Sequence, residues 1–270
     1  MGLKSLLKSG IMLDIYFYKN NRGAFISMLL WPYLMLALIL GMGMMFGSPE
    51  AFKENVGLAV NPIIFFIAST LIAMASVDVM WGVGGNVLFY RWVGTLPYIL
   101  LSPNKTSSTL VLTYIPRYLL FTFIQIMEFV PLILVLEGVY RGILDIGVFI
   151  LAAIVGMLPL LGFSALFASF LLTIKEESNV LDWLNPIILL FSGAFYPVYL
   201  LPRWARLISQ LLPSTYTIEL ARTVAIIGTP KLAAITFLIG VLAGMTIFYN
   251  ALAYMFVDAG EKKAMKEGAI

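Results

Sequence analysis

The chain has 270 residues, 61% of them hydrophobic and 11% charged, with a mean hydropathy of +0.98 and a formal net charge of +3. Soluble domains carry about a quarter of their residues as Asp, Glu, Lys and Arg, so this composition describes an all-α integral membrane protein. The chain has no Cys and no His, which excludes disulfides, thiolate chemistry and imidazole metal sites, and it shows no basic stripe of the kind nucleic acid requires.

In chain order, residues 3–17 predict an amphipathic helix. Leu3, Leu6, Leu7 and Ile11 recur at helical spacing while Lys4, Lys8 and Asp14 face elsewhere. Such a helix lies along lipid headgroups. Asn20-Asn21-Arg22-Gly23 ends it, and the stretch lacks the small-residue cleavage site of a signal peptide. Six apolar runs of spanning length follow, over about 24–46, 62–89, 109–136, 146–173, 183–201 and 232–256. The expected organisation is an interfacial helix over 1–22, a six-span domain over 23–257 and a cytoplasmic tail over 258–270. The connections expected are a short outer loop to about Val60, a polar loop over 90–106, a tight turn from Gly138 to Asp145 and a charged loop from Lys175 to Asn179.

Six spans place both termini on one side. Eleven of the seventeen Lys and Arg residues then fall on the side of the termini, which makes that side cytoplasmic by the positive-inside rule. Arg203, Arg206 and Arg222 sit on the outer side, in the long connection between spans five and six.

That connection departs most from an ordinary lipid-facing bundle. Phe191-Ser192-Gly193-Ala194-Phe195-Tyr196-Pro197 breaks the fifth span, then Leu201-Pro202-Arg203-Trp204 and Leu212-Pro213-Ser214-Thr215-Tyr216 follow. Broken backbone at membrane depth persists only when buried in protein or lining a cavity. Ser192, Gly193, Phe195, Tyr196, Pro197 and Tyr216 are therefore candidates for an outer gate, within a re-entrant helix pair. Tyr199 belongs to the same aromatic group.

On the other side, Tyr90 to Lys105 reads as a short cytoplasmic helix. Thr95 is placed to cap it, Pro97 fits its first turn, and Ile99, Leu100 and Leu101 give it an apolar face. Ser102-Pro103 ends it, and Thr106, Ser107 and Ser108 offer caps for the next helix. Gly82, Gly84 and Gly85 follow a span rather than a strand, so they read as close helix packing or a helix end. No phosphate-cradling P-loop and no hydrolase motif occurs.

Two stretches resemble the type-2 permease family of ABC transporters. In the loop, Arg91, Gly94, Thr95, Leu96, Ile99, Leu100, Ser102 and Pro103 match the family's pattern; Tyr90, Trp92 and Pro97 stand where acidic residues are usual. In the outer connection, Ser192, Gly193, Phe195, Tyr196, Pro197, Leu201, Pro202, Trp204, Leu212, Pro213, Thr215, Tyr216 and Arg222 fall in the family's order. With the interfacial helix and six spans, the likeness covers nearly the whole chain. The resemblance implies a permease homodimer or heterodimer in the cell membrane, bound to two cytoplasmic ABC ATPase subunits that carry the ATP and Mg. Arg91, Trp92, Gly94, Thr95, Leu96, Tyr98, Ile99, Leu100, Ser102 and Pro103 would couple to the ATPase. The resemblance further implies export of drugs, lipids, peptides, glycans or ions, with no cofactor on this chain.

Three ionisable residues lie inside spans, where they are costly and face protein or water. Asp78 and Arg117 each sit ~14 Å into their helices at 1.5 Å per residue, so a structural ion pair is expected if the two spans are neighbours. Glu128 lies ~16 Å beyond Arg117, with Gln125 on the same face. These two either bind a cationic substrate, line a dimer cavity, or hydrogen-bond a neighbouring helix. Gln125, Glu128, Asn185 and Phe191 are the candidate pathway residues. The alternative function is an ATPase-independent ion-coupled transporter using Asp78 or Glu128. An intramembrane enzyme is disfavoured by the absence of His, Cys and any catalytic pairing.

Overall fold

The computed structural model describes residues 2–44, 54, 61–173, 180–227 and 232–267. The described residues are almost all helical and contain no strand. The chain begins with α1 (Leu3–Asn20) and α2 (Arg22–Met44). Next, α3 (Pro62–Val79) runs through a π-helical stretch, Met80–Gly85, into α4 (Asn86–Trp92). The short α5 (Leu96–Leu100) precedes α6 (Thr106–Thr173). Then come α7 (Val180–Phe191), a 3-10 turn at Val198–Leu200, α8 (Arg203–Leu211), α9 (Pro213–Ile227) and α10 (Leu232–Glu267). The expected loop over 47–60 apart from residue 54, the loop from Lys175 to Asn179, and the charge of Lys231 lie outside the described residues.

Among the described residues, four helical stretches are long and apolar enough to cross a membrane: 22–42, 62–92, 106–173 and 232–266. The 68-residue α6 is two arms joined at Gly138, whose φ of +77° is non-helical. Only glycine adopts that conformation without steric cost. Tyr118 on the first arm donates to the carbonyl of Ala153 on the second at 2.8 Å, and Gly142 lies against Leu134. The arms therefore run antiparallel, and the turn expected over Gly138 to Asp145 is made by one residue, with helix resuming at once.

α3 is the central rod. Asn61 caps it by accepting the Ile63 N–H at 2.9 Å, with Pro62 at the first helical position. Its side chains from Ile64 to Ser76 are buried on every face, as expected of a helix enclosed by others. Two apolar clusters stack along it. One gathers Phe65, Phe129, Phe149 and Ile218; the other gathers Met80, Tyr114, Leu160 and Leu171.

Several expectations change. α1 docks through Leu6, Gly10 and Asp14, while Leu3 and Ile11 are exposed. The reason is Gly10, whose missing side chain lets α1 approach the backbone of Thr113; a Cβ there would collide with that carbonyl. The first long helix starts at Arg22, two residues earlier than expected, and the second continues to Trp92. The fifth apolar run breaks in the expected segment: α7 stops at Phe191, and at 1.5 Å per residue its 12 described residues span ~18 Å. Residues 258–267 of the expected tail continue α10 without a break, and Ala264 is buried there.

The glycine cluster forms the π-helical stretch. Such a stretch leaves backbone groups without their usual partners. Ser164 on the second arm of α6 serves both: its Oγ donates to the Val79 carbonyl at 2.9 Å and accepts the Gly84 N–H at 3.1 Å. Gly82 lies under the ring of Tyr114, where any Cβ would clash. The expected close helix packing at these glycines is thus joined by a change in helix winding.

Candidate functional site

At one end of the bundle α4, α5 and the start of α6 make a projecting corner. Leu96 and Leu100 are buried and pin α5 to the helices beneath it. Trp92, Tyr98 and Leu101 point away and are 75%, 77% and 74% exposed. Gly94 and Pro103 are also exposed, and Ile99 is half-buried. Arg91 turns inward, its Nη2 donating to the Leu171 carbonyl at 3.0 Å. Thr95 does not cap α5: its hydroxyl donates back to the Tyr90 carbonyl at 3.3 Å, because its αR backbone is not the extended geometry of a capping residue. Ser102 Oγ donates to the Asn104 carbonyl at 3.3 Å. Thr106 is likewise a poor cap, with its hydroxyl buried and without a hydrogen-bond partner among the described residues. Of the ten residues assigned to coupling, Trp92, Gly94, Tyr98 and Pro103 thus form the outward face, joined by Leu101.

Beneath this corner is an ionic cluster. Arg117 Nη2 lies 3.6 Å from Asp78 Oδ1, and the Tyr114 hydroxyl donates to Asp78 Oδ2. α3 and the first arm of α6 are neighbours, so the two charges meet at matching depth. Asp14 of α1 reaches the same region and is 8% exposed. Burial pushes its carboxyl up to about 6; Arg117 opposes the shift and Asp78 adds to it. The amphipathic pattern had assigned Asp14 to the solvent face.

The proposed pathway residues do not converge on an open channel. Gln125 is fully buried and its Nε2 donates to Met74 Sδ at 3.6 Å. Glu128 sits where α2 crosses the first arm of α6: Tyr33 donates to its backbone carbonyl at 3.0 Å. Both Glu128 carboxylate oxygens are buried without a hydrogen-bond partner among the described residues, as is Asn185 Oδ1 on α7. Phe191 packs edge-on against Trp204 at 5.9 Å, and its carbonyl accepts from Ser209.

The break after α7 is held from three sides. Gly193 has a φ of +80°, and a Cβ there would meet Val198 Cγ2 at 2.7 Å. Ser192, Phe195 and Pro197 are buried. Phe195 belongs to the core cluster, with Tyr196 and Tyr216 packed against it, whereas Tyr199 stands apart and exposed. The Tyr249 hydroxyl, midway along α10, donates to the Leu211 carbonyl at 2.5 Å at the α8–α9 junction. Arg222, which the topology had counted among outer charges, is 2% exposed. Its Nη2 donates to the Ala194 carbonyl at 2.7 Å, its Nε donates to Ser69 Oγ at 2.8 Å, and its guanidinium lies 3.8 Å over the Phe65 ring. Sequence reasoning missed this role; the available signal was an Arg preceded directly by Leu220-Ala221.

No protein-family model matches this chain, and no curated protein matches it. The functional reading therefore rests on the sequence motifs and the geometry above. Among the described residues no group of three or more Asp, Glu, His or Cys is placed to hold a metal ion.

Proposed function

We propose that the chain is the membrane subunit of an ATP-driven transporter that exports a hydrophobic or amphipathic substrate by alternating access. Its six spans would be α2, the continuous α3–α4 rod, the two arms of α6, α7 with the segment after it, and α10. α8 and α9 would form the re-entrant outer pair, and both termini would be cytoplasmic. A second permease copy or homologue would complete the pathway, and separate ATPase subunits would supply the ATP and Mg. This chain itself catalyses no reaction in that scheme.

The observation that carries the reading is the corner built on α5. Trp92 at the end of α4, Tyr98 on α5 and Leu101 just after α5 are large apolar groups exposed at a corner anchored by Leu96 and Leu100. Exposed apolar clusters rimmed by polar residues mark docking sites. A rigid anchor beneath such a cluster transmits the motion of whatever binds it. The buried break at Gly193 and the prolines within α6 and α7 supply points about which helices can rock.

The test is copurification. Replacing Trp92, Tyr98 and Leu101 together by Asp should abolish recovery of a P-loop ATPase with the chain, while thermal unfolding of the bundle stays unchanged. Cargo movement by the purified chain alone would overturn the proposal. One observation favours a second reading, ion-coupled transport without an ATPase: Glu128 holds a carboxylate inside the bundle with no hydrogen-bond partner among the described residues. Dependence of transport on a proton or sodium gradient, with none on ATP, would select it.

A further inference from the structure

Two cavities meet at Asp14. One, of about 670 Å³, lies between α1 and the two arms of α6 and is walled mainly by Ile11, Ile15, Leu119, Phe123, Ile126 and Ile154. The other, of about 420 Å³, opens toward α4 and is bordered by Asn20, Asn21, Asn86, Tyr90 and Arg117. Asp14 lines both. Each volume falls in the range of small-molecule sites, ~300–1,000 Å³. An apolar slot joined to a chamber of mixed lining, where Leu13, Phe17 and Phe89 stand beside the polar groups, at the level of an interfacial helix has the shape of an amphiphile.

Charge decides which amphiphile. Asp78 and Arg117 neutralise each other at 3.6 Å. Asp14 adds a second carboxylate to that single guanidinium. As a residue it is 8% exposed, and its side chain lines both cavities. A carboxylate partly withdrawn from water at a cavity wall is stabilised by a cation that enters the cavity. The cluster is one cation short, and the missing charge belongs beside Asp14, where the two cavities meet.

We infer that the groove between α1 and α6 binds an amphiphile with a protonated amine, the amine on Asp14 and its alkyl chain in the slot lined by Ile11, Phe123 and Ile154. The amine comes from an aminophospholipid headgroup or from a free long-chain amine. The site shares no residue with the outer gate or with the exposed Trp92, Tyr98 and Leu101. The inference rests on the membrane setting alone, so ATPase copurification and amphiphile binding can fail independently.

Native mass spectrometry of the full chain in a neutral detergent tests it, with phosphatidylethanolamine, phosphatidylglycerol, dodecylamine and dodecanol titrated separately. Either amine-bearing compound should be retained at least tenfold more strongly than its uncharged or anionic counterpart; the arm that shows this identifies the source. Asp14→Asn should erase the preference. Ile154→Trp, which fills the slot from its lipid-facing side, should weaken retention of the same compound. Asp258→Asn, a carboxylate on the far part of α10, should leave it unchanged. Equal retention of phosphatidylglycerol and phosphatidylethanolamine together with equal retention of dodecanol and dodecylamine, or an unaltered preference in Asp14→Asn, overturns the inference. Should Asp14→Asn fail to fold, the headgroup preference of the unaltered chain and the Ile154→Trp result still decide.

Discussion

Arg222 donates to the carbonyl of Ala194 at 2.7 Å, and so ties α9 to the turn that follows Gly193. The same guanidinium bonds Ser69 of the central helix and covers Phe65. A buried hydrogen bond to a charged group contributes about 1.5–3 kcal/mol. Replacing Arg222 with Met should therefore destabilise the protein by at least about 2 kcal/mol and loosen the turn. Thermal unfolding in detergent would show a fall of about 2–4 °C per kcal/mol. Hydrogen exchange should rise at Ala194 and Phe195 before it rises in α3.

Gly193→Ala places a side chain at a positive φ and drives it against Val198. The strain should cost about 1–3 kcal/mol. If the turn is a gate, transport should fall more than the loss of folded protein explains. Quantifying folded protein by size-exclusion chromatography beside a transport assay separates the two.

Asp78 and Arg117 should behave as a coupled pair. Asp78→Asn alone leaves a guanidinium inside the bundle facing a neutral group, and Arg117→Met alone leaves the carboxylate. The double variant should be more stable than the sum of the single losses predicts, by about 0.5–3 kcal/mol. Additive losses in a double-mutant cycle would show that the 3.6 Å approach carries no energy.

Docking of α1 should depend on pH. The docked Asp14 carboxyl holds its proton up to about 6, against 3.8 for the ordinary carboxyl. Below 3.8 both the docked and the released forms are protonated and docking is strongest. Between 3.8 and 6 the docked form binds more protons, so docking weakens as pH rises, and it levels off above 6. Arg117 limits the effect and Asp78 enlarges it. Protease cleavage within residues 3–20 should rise from pH 4.5 to pH 7.5, and Asp14→Asn should flatten the profile.

Glu128→Gln removes a charge while keeping the shape of the side chain. If the carboxylate serves a cationic substrate or a coupling ion, uptake of cations should drop more than uptake of neutral compounds. Equal effects on both would assign Glu128 to helix packing.

The apolar runs made most helices legible from sequence, and Pro62 and Gly138 marked a start and a turn through local backbone chemistry. The depth of Asp78 and Arg117 could be counted because helical rise is fixed. Other features depend on partners distant in sequence. Asp14 turns inward because Gly10 meets the backbone of Thr113, a contact no periodicity along α1 records. Arg222 reads as a surface charge until Ser69 and the Ala194 carbonyl are brought to it. Thr95 has the residue type of a cap but lacks its backbone conformation. The outward face of the α5 corner was partly visible, in Trp92 and Tyr98. The burial of Leu96 was not, since it required the underlying helices to be placed.

The widened winding over Met80–Gly85 has an angular consequence for everything downstream. Each residue added to a helical turn rotates the following side chains by ~100° about the axis. Arg91, which meets the Leu171 carbonyl, and the exposed Trp92 both lie downstream of that offset. Ser164 is thus a tuning peg for the α5 corner: loosen it, let the helix rewind, and the whole corner would point in a different direction.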